Sequence, residues 1–313
     1  MTTPMPETHK VYRRSPGLGT PSHPLNLIQS IEPVIRTPSG VLNPNQVLVK
    51  IKYVALNARD YLMLYGQLPI PIKDSGIAAG DCSGEVVALG SSVTRFVIGD
   101  CVSPTADAGN ITGTLEPSGH IAIGEEADGV LGERGVHVRP FTLSLAGGIE
   151  PIITSSSDTR LASLRKSLDA PELKGFNYRT VSDQAAQVKT LTGGKRVDTI
   201  VNNSGPTTFP QDIDSLVAQY GTISVVGFLG GVTVEWNPGV LLGLTMKQAK
   251  LQGIGVGSRV DFENLLKFIE EKKIDVSVLL DEKVFGFEES PAAFDYLAAG
   301  QHTGKVHIRV ASD

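Results

Sequence analysis

The stretch PIITSSSDTRLASLRKSL, residues 151–168, decides the fold class of this chain. It begins with a short apolar run, residues 151–154, which is typical of a buried strand. A serine-rich turn then leads into a segment whose apolar positions, Leu161, Leu164 and Leu168, suit one face of a helix. A strand that passes through a turn into a helix is the βα unit of a parallel sheet.

Two more apolar runs downstream, residues 197–201 and 221–229, predict further strands of the same sheet. Between them, Ile213, Leu216 and Val217 predict a helix. Because both runs are apolar without alternation, they fit strands that are covered on both faces. This part of the chain is therefore expected to form a doubly wound parallel sheet.

The C-terminal part is expected to leave this sheet through two helices and a strand. Residues 260–273 carry the strongest helical periodicity in the chain. Ser290 and Pro291 are the expected cap and first turn of the second helix, which Gly300 closes. Residues 305–310 then return as a strand.

The N-terminal part has a different pattern. Residues 46–54 alternate in polarity, which predicts a half-buried strand with one apolar face. That face consists of Val47, Val49, Ile51 and Tyr53. Residues 84–90 and 97–102 continue in the same style, separated by glycine and proline. A chain of 313 residues is too long for one ordinary core, so we expect a β-rich, barrel-like lobe beside the α/β part.

The composition excludes several classes of protein. Hydrophobic residues make up 41% of the chain and charged residues 19%, which is typical of a folded protein. The net charge of −5 lacks the basic footprint of a nucleic-acid binder. The longest apolar stretch, residues 222–236, is interrupted by glycines and falls short of the ~20 residues that span a bilayer. Residues 1–10 contain no apolar secretory core, so a cytoplasmic location is expected.

The chain has two cysteines, Cys82 and Cys101. Two cysteines exclude a disulfide framework and a zinc site built from four thiolates. We interpret both as small buried hydrophobic residues.

Several short segments follow one another in an order that is typical of one protein family. They are residues 54–61 (VALNARDY), 80–90 (GDCSGEVVALG), 99–102 (GDCV), 154–158 (TSSSD), 177–180 (NYRT), 191–194 (LTGG), 257–259 (GSR) and 304–306 (GKV). In this order they resemble the medium-chain dehydrogenase/reductase superfamily, in particular its zinc-free quinone oxidoreductases and its fungal zinc-type alcohol dehydrogenase-like branch. No single segment is specific, whereas the ordered set spans nearly the whole chain.

The resemblance implies the fold and its two domains. A β-rich, GroES-like catalytic lobe is expected over residues 1–145, completed by residues 275–313. A Rossmann domain is expected over residues 146–274. The resemblance also implies a homodimer that forms through the edge of the nucleotide-binding sheet, towards which residues 221–229 lead.

The family divides into zinc-dependent and zinc-free branches, and the ligand positions favour the second. In the zinc branch a cysteine lies where this chain has residues 57–60, and a Gly-His-Glu segment lies where it has residues 79–81, so that Gly80 stands at the histidine position. Catalytic zinc needs about three protein ligands and an open position. Four of the six histidines show no ligand spacing and are interpreted as surface or loop residues: His120, His137, His302 and His307. We therefore expect no zinc.

Without a metal, the chemistry open to the first lobe is hydride transfer from a reduced nicotinamide, with the protein supplying position and polarisation. A carbonyl oxygen gains charge as hydride arrives, so a nearby donor lowers the barrier. The Asn57 amide is the first candidate for this donor. The second candidate is the Tyr65 hydroxyl, which can also transfer a proton. The alternative is that Asn57 caps a turn while Arg59 and Asp60 pair locally.

The adenosine side of the cofactor is expected just after the strand at residues 151–154. Folds that prefer NAD place an acid there for the ribose 2′-OH, whereas small polar or basic residues admit the 2′-phosphate of NADP. Four such residues follow the strand: Ser155, Ser156, Ser157 and Arg160. Asp158 is the counter-signal, although it could cap the next helix instead. By resemblance, Tyr178 stacks near the adenosine phosphate, and NADP(H) is the expected cofactor.

The resemblance also assigns residues to the nicotinamide side. They are Asn203, Gly227, Phe228, Leu229, Val256, Gly257 and Ser258. Glycines at such points let the backbone approach a ligand, although they can also simply end strands. The glycine-rich run at residues 253–257 is not expected to be a phosphate loop, because it lacks a strand–turn–helix context.

One piece of the resembled fold is absent. In the family, a helix, a strand, a glycine turn and a second helix separate a T-L-x-x-A-G-G segment from the strand that ends in T-S-S-S-D. Here residues 142–148 (TLSLAGG) run directly into residues 149–153 (IEPII). The central strand and the turn whose N–H groups hold the pyrophosphate are therefore missing. The neighbouring strands must slide together or leave polar backbone unpaired.

These observations predict an NADPH-dependent, zinc-independent oxidoreductase that transfers hydride to a quinone, an enone or a related small carbonyl compound. An inactive remnant of such an enzyme is the alternative. The gap itself has two explanations, a mispredicted or alternatively spliced transcript and a degenerate paralogue. A metal-dependent alcohol dehydrogenase ranks last because the ligands are missing. We expect no nucleic-acid or membrane partner.

Overall fold

The computed structural model describes residues 7–17, 19–34, 42–68, 70–107, 109–113, 121–132 and 149–311. Its strands are β1 (Thr8–Arg14), β2 (Leu27–Pro33), β3 (Val47–Ala55), β4 (Asp81–Leu89), β5 (Cys101–Val102), β6 (Ile152–Ser155), β7 (Lys174–Asn177), β8 (Thr199–Asn202), β9 (Thr222–Val225), β10 (Lys250–Gly253), β11 (Leu280–Gly286) and β12 (Lys305–Arg309). Its α-helices are α1 (Ala58–Leu64), α2 (Asp158–Ser167), α3 (Gln184–Leu191), α4 (Phe209–Ser215), α5 (Leu242–Met246), α6 (Arg259–Glu271) and α7 (Ser290–Ala298). His120, His137 and residues 142–148 lie outside the described residues.

The chain divides into two compact units. Unit 1 comprises the described residues within 1–139 and 257–313, and unit 2 those within 140–256. Unit 1 contains β1–β5, β11 and β12, whereas the strands of unit 2 pair only in parallel. The predicted class, an α/β chain with a β-rich lobe and an incomplete parallel sheet, is confirmed.

Unit 1 is built on a five-stranded sheet in the order β11-β12-β3-β4-β5, with the antiparallel ribbon β1–β2 as a second sheet. The central strand β3 pairs antiparallel with β4 on one side and with β12 on the other. Its last residue, Ala55, lies opposite Asp81 and His307. The beginnings of β4 and β12 therefore meet at the end of β3.

The alternation that predicted β3 does not persist along the whole strand. The register of β3 against β4 shifts between Ile51 and Tyr53, which marks a bulge. A bulge inserts one residue and re-aims the side chains that follow it. Val54 is consequently fully buried in the core of unit 1, although the alternation put it on the outer face.

The core of unit 1 joins both ends of its sequence. Its largest buried side chains include Leu56, Leu64, Phe285, Phe294 and Ile308. Helix α7 packs against α1 and β12. Its N-cap is Glu289, so the predicted Ser290 cap is wrong by one residue, because the Ser290 hydroxyl donates instead to the carbonyl oxygen of Phe287 at 2.5 Å.

Several predicted elements are shorter in the structure. Only Thr222–Val225 of the run 221–229 forms a strand, and only Cys101–Val102 of the run 97–102. The strong helix at residues 260–273 is confirmed as α6. Among the described helices, none is long and apolar enough to cross a membrane.

The parallel strands of unit 2 form two sheets instead of one. β6 pairs only with β7, while β8, β9 and β10 form a separate sheet in which β9 is central. Within the described residues, no ladder joins β6 to β8. The neighbours of the missing strand have therefore not closed the gap, which the sequence had left open as a possibility.

The three-stranded sheet is covered on one face. Ile223 packs there with Ile213 and Leu216 of the α4 region in a small core. On β8, Ile200 lies opposite Ile223, and the next residue is Val201. The Val201 side chain points to the other face of the sheet and is 54% exposed. The predicted burial on both faces is therefore wrong for the described residues, among which no element covers Val201.

We predict that a restored segment stabilises unit 2. The helix–strand–turn–helix segment of a medium-chain dehydrogenase would be inserted after Gly148. Burying one exposed Val side chain such as Val201 stabilises a protein by about 1.5–3 kcal/mol. The insertion should therefore raise the free energy of unfolding by at least about 2 kcal/mol, measured by urea denaturation.

A glycine-serine linker of equal length inserted at the same point is the control. It adds chain without a strand and should not stabilise the protein. If the unmodified chain melts as cooperatively and at the same midpoint as the restored one, the interpretation of the gap is wrong.

Candidate functional site

The loop between β3 and α1 places Asn57 at a helix start. Asn57 is the N-cap residue of α1, in extended backbone conformation. Its N–H donates to Asp60 Oδ2 at 2.7 Å, which is the return half of a capping box. The alternative that Asn57 caps a turn is therefore part of its role, but its side chain is used elsewhere.

The Asn57 carboxamide joins two charged residues. Its Nδ2 donates to Asp81 Oδ2, and its Oδ1 accepts from Lys305 Nζ. Asp81 and Lys305 begin β4 and β12, the two strands that flank β3. A cation on the oxygen and a carboxylate on one amide hydrogen hold the group in one orientation. The second amide hydrogen has no acceptor among the described residues, so Asn57 can donate to a ligand.

Arg59 lies in the first turn of α1, and its side chain makes two hydrogen bonds. Its Nη1 donates to Glu125 Oε1 at 2.7 Å, and its Nη2 donates to the carbonyl oxygen of Ile123 at 2.6 Å. The predicted local pairing of Arg59 with Asp60 is therefore wrong as a hydrogen bond, because the guanidinium turns to Glu125. A Cβ atom added at Gly80 would lie 1.8 Å from Nη2.

Asp60 is a buried carboxyl beside these groups. It is 2% exposed, and its Oδ1 has no hydrogen-bond partner among the described residues. Burial raises the pKa of the Asp60 carboxyl from 3.8 to about 6, against the opposing influence of the Arg59 guanidinium and the Asn57 N–H. This acid is therefore partly protonated near neutral pH.

The structure does not bring Tyr65 to Asn57. Tyr65 is the C-cap of the same helix, so about eight residues at 1.5 Å each separate the two, roughly 12 Å. Its hydroxyl donates to Asp295 Oδ1 at 3.4 Å and lines a cavity of about 180 Å³ in unit 1. Burial and the Asp295 carboxylate raise the pKa of Tyr65, which makes it a weaker acid.

The residues of this site do not fit a zinc ion. Asn57 and Gly80 stand where the resemblance implies zinc ligands, and the guanidinium of Arg59 fills the space beside Gly80. Among the described residues, no group of three His, Cys, Asp or Glu side chains could hold a metal. Cys82 is buried as predicted, whereas Cys101 is exposed because β5 is an edge strand.

His307 differs from its predicted surface or loop position. It is 7% exposed, because it lies within β12 beside the central strand. Its Nδ1 is 3.2 Å from the carbonyl oxygen of Lys305. His302 lies between α7 and β12, in a loop as predicted.

In unit 2 the adenosine-side candidates gather at the carboxyl ends of β6 and β7. Ser155 ends β6, and its carbonyl oxygen accepts from the N–H of Tyr178 at 3.0 Å. Ser156 follows it, and the Ser157 hydroxyl accepts from the N–H of Arg160 at 3.3 Å as the N-cap of α2. The side chains of Tyr178 and Arg160 are exposed.

Asp158, the counter-signal to NADP, is already engaged. It is the first residue of α2, and its Oδ2 accepts from Asn177 Nδ2 at 2.9 Å. The helix is capped by Ser157, so Asp158 does not provide the cap that the sequence suggested. The hydrogen bond to Asn177 holds the Asp158 carboxylate at the end of β7. The serines lie separately from it, at the end of β6.

The nicotinamide-side candidates of unit 2 also meet. The N–H of Leu229 donates to the carbonyl oxygen of Asn203 at 3.0 Å. A Cβ at Gly227 would lie 2.2 Å from Asn203 Oδ1, and one at Gly205 would lie 2.8 Å from the Phe228 Cα. The two loops that follow β8 and β9 therefore require glycine to lie this close.

The last three candidates do not all have free side chains. Val256 and Gly257 are exposed. Ser258 is 1% exposed and caps α6, where its Oγ accepts from the N–H of Asp261 and donates to Asp261 Oδ2 at 2.7 Å. The hydroxyl of Ser258 is thus occupied by a capping box.

The prediction that the glycine-rich run at residues 253–257 lacks a strand–turn–helix context is wrong. The run links β10 to α6, so it does lie between a strand and a helix. The capping box nevertheless places the Asp261 carboxylate at the start of α6. A negative charge already occupies that helix terminus, which disfavours a phosphate there.

The sequence reasoning missed Lys305 and Glu125 as members of the site. They lie 248 and 66 residues from their partners Asn57 and Arg59. No spacing rule connects positions so far apart. The only signal was that Gly304-Lys305-Val306 falls in family order.

Two family descriptions match adjoining parts of the chain. An alcohol dehydrogenase GroES-like domain matches residues 43–142, and a zinc-binding dehydrogenase domain matches residues 142–271. A zinc-type alcohol dehydrogenase-like protein of Schizosaccharomyces pombe is 27% identical, with 86% of this chain and 92% of that protein covered. Prostaglandin reductase-3 of Mus musculus is 25% identical, with 84% and 81% covered.

A solved structure is also similar. A crystal structure assigned as an alcohol dehydrogenase from Sinorhizobium meliloti 1021 has a TM-score of 0.77 and 25% identity, with 96% of this chain and 99% of that chain covered. The alignment with the S. pombe protein runs over 325 residues although it spans 86% of a 313-residue chain. Several tens of residues of that relative therefore have no counterpart in this chain.

The buried carboxyl of Asp60 predicts a pH-dependent stability. Its folded-state pKa of about 6 lies above the ordinary 3.8, so folding favours the protonated form. The stabilisation is complete below about pH 4 and is lost as the pH rises through about 6. Asp60→Asn cannot ionise and keeps an oxygen for the Asn57 N–H. It should raise the free energy of unfolding at about pH 8 by up to about 3 kcal/mol, with no gain at about pH 4.

Urea denaturation at both pH values measures this difference. Asp74→Asn, which changes an exposed carboxylate of the same unit, is the control. A variant at Asp60 that is less stable than the parent at both pH values would contradict the assignment.

Proposed function

We propose that this chain, which belongs to the medium-chain dehydrogenase/reductase superfamily of NAD(P)-dependent oxidoreductases, reduces a quinone, an enone or a related carbonyl compound with NADPH and without zinc. The single observation that carries the proposal is the Lys305–Asn57–Asp81 arrangement. It holds an amide donor in a fixed orientation where a metal ligand would otherwise be needed.

The chemistry requires a group that stabilises charge on oxygen. Bound NADPH supplies a hydride, which carries two electrons and one proton. A quinone that accepts it becomes a phenolate, and an enone that accepts it at the β-carbon becomes an enolate. Solvent then supplies one proton. In both cases negative charge develops on the former carbonyl oxygen, and the free amide hydrogen of Asn57 can donate to it.

The choice of cofactor rests on unit 2. Ser155, Ser156 and Ser157 would surround the 2′-phosphate, with Arg160 supplying a positive charge and Tyr178 a stacking surface. Asp158 Oδ2 accepts a hydrogen bond from Asn177, which supports NADP over NAD. On the nicotinamide side, Gly205 and Gly227 let the loops that follow β8 and β9 approach each other closely, which brings Asn203 and Phe228 together.

The pyrophosphate is the weak point of this assignment. The turn that would hold it belongs to the missing segment, and the helix start at Ser258 already holds a carboxylate. We therefore propose that this chain binds NADPH weakly and turns over slowly. The split sheet of unit 2 favours the second candidate, an inactive remnant or mis-spliced form, and a thermal-shift assay with NADPH separates the two.

A cytoplasmic location and a homodimer stay predictions. In the three-stranded sheet β9 is central and the outer strands are β8 and β10, so the run 221–229 does not itself form the edge. Because β8 borders the missing segment, pairing of two copies through this sheet would use β10.

The first functional prediction concerns activity. The chain should oxidise NADPH with a quinone more slowly than the version with the restored segment, and a chelator should change neither rate. Asn57→Ala should lower kcat by about 10²–10³-fold in the restored version, as loss of one oxyanion donor does. Asn43→Ala, an exposed asparagine of the same unit, should leave kcat unchanged. Zinc found by elemental analysis at one per chain would sink the metal-free mechanism.

The second functional prediction concerns the cofactor. NADPH should bind more tightly than NADH, because the 2′-phosphate gains a charge-assisted bond from Arg160. Arg160→Asp should reduce this ratio about tenfold or more, measured by calorimetric titration with each nucleotide. Lys166→Asp makes the same charge change further along α2 and should preserve the ratio. Equal affinities in the parent chain would argue against NADP specificity.

A further inference from the structure

Arg59 and Gly80 are built around each other. The Arg59 guanidinium lies so close to Gly80 that any side chain at that position would displace it, since an added Cβ would be 1.8 Å from Nη2 and 2.6 Å from the carbonyl oxygen of Ile123. Gly80 does not have a positive φ, so its need for glycine is one of space and not of backbone conformation. The Arg59 guanidinium therefore fits in this place only because residue 80 is a glycine.

The loop that makes this space is strained. Ala79, immediately before Gly80, is fully buried and has a φ of 60°, in the left-handed region that disfavours residues with a Cβ. Backbone strain of this kind persists only where the surrounding structure imposes it, and it clusters at functional sites. The strain coincides with the approach of Arg59.

The guanidinium is held but not enclosed. Glu125 and the carbonyl oxygen of Ile123 each accept one hydrogen bond, and the side chains of Arg59 and Glu125 are 20% and 11% exposed. Guanidinium has five N–H donors, and its remaining ones have no acceptor among the described residues. Its planar fork of N–H donors matches an oxygen anion.

We propose that Arg59 is an oxyanion-binding residue, which receives the negative charge of the substrate oxygen through its remaining N–H groups. This deepens the proposed function and rests on it. A preorganised cation near the oxygen that gains charge lowers the barrier most when it needs no reorganisation. Glu125 and Ile123 provide that preorganisation, and Gly80 provides the room. Asn57 would then supply a neutral donor and Arg59 the charge.

The competing explanation is that Arg59 only ties the loop at residues 122–125 to α1. Arg13 provides a matched comparison, because it makes the same kinds of contact in the same unit. It pairs with Glu32 and Asp128, donates to the carbonyl oxygen of Ser75 at 2.8 Å, and is 24% exposed. A purely structural role predicts equal behaviour of the two arginines towards an oxygen anion.

The test uses 4-nitrophenol, whose phenolate absorbs visible light and has the oxygen chemistry of a reduced quinone. The full chain is titrated with it in the absence of nucleotide, near the pKa of free nitrophenol. We expect the phenolate to be bound preferentially, so that absorbance rises. Arg59→Gln should weaken phenolate binding at least about tenfold, whereas Arg13→Gln should not change it.

Each outcome decides the assignment. Unchanged phenolate binding in Arg59→Gln overturns it, as does binding that is lost in Lys305→Gln but kept in Arg59→Gln. If Arg59→Gln fails to melt cooperatively, phenolate binding is measured with Arg59→Lys instead. This variant keeps the positive charge but loses the planar fork of donors. Weaker binding in Arg59→Lys supports the proposal, and equal binding overturns it. The phenolate titration contains no nucleotide and is independent of the activity assay. If phenolate binding depends on Arg59 but the chain does not oxidise NADPH, the proposed function is rejected and the oxyanion assignment stands.

Discussion

The candidate site depends on the pairing of β3 with β4 on one side and β12 on the other. This pairing brings Asp81 and Lys305, which are far apart in sequence, to the two sides of Asn57. The carboxamide is oriented only because both partners are present. The helix α1 starts at the same point, so the Asp60 carboxyl and the Arg59 guanidinium follow from the same junction. A change in the register of β3 would therefore separate the donor, its two charged partners and the helix start together.

Unit 2 shows the consequence when such pairing is absent. Parallel strands satisfy their backbone through two neighbours, and β6 and β8 each have one in the part of the chain that the structure describes. The missing segment would supply both a shared neighbour and the turn that binds a pyrophosphate. Stability of the sheet and affinity for the nucleotide therefore depend on the same residues.

The site of unit 1 combines features that reduce stability. Asp60 is a buried acid with an unpartnered oxygen, and Arg14 is a buried cation whose Nε lacks a partner among the described residues. Ala79 adds a left-handed backbone conformation. Groups of this kind cost free energy in the folded state and are retained most often where a ligand uses them. Their clustering around Asn57 and Arg59 is the physical reason why we propose the chemistry there and not at Tyr65, which lines the cavity at the other end of α1.

The sequence by itself determined the α/β class, the β-rich lobe, the helix α6 and the missing strand, because periodicity and segment order are local properties. It also indicated Asn57 and the serines at the end of β6, since they lie at or just after the end of a recognisable strand. Tertiary structure decided the rest. The bulge in β3 reversed the face of Val54, Asp158 bonded to Asn177, and Tyr65 turned to Asp295, all through contacts that no local pattern encodes. The site itself, in which Lys305, Glu125 and Gly80 meet Asn57 and Arg59, exists only because distant strands pair, and sequence spacing carries no information about which distant residues a sheet will bring together.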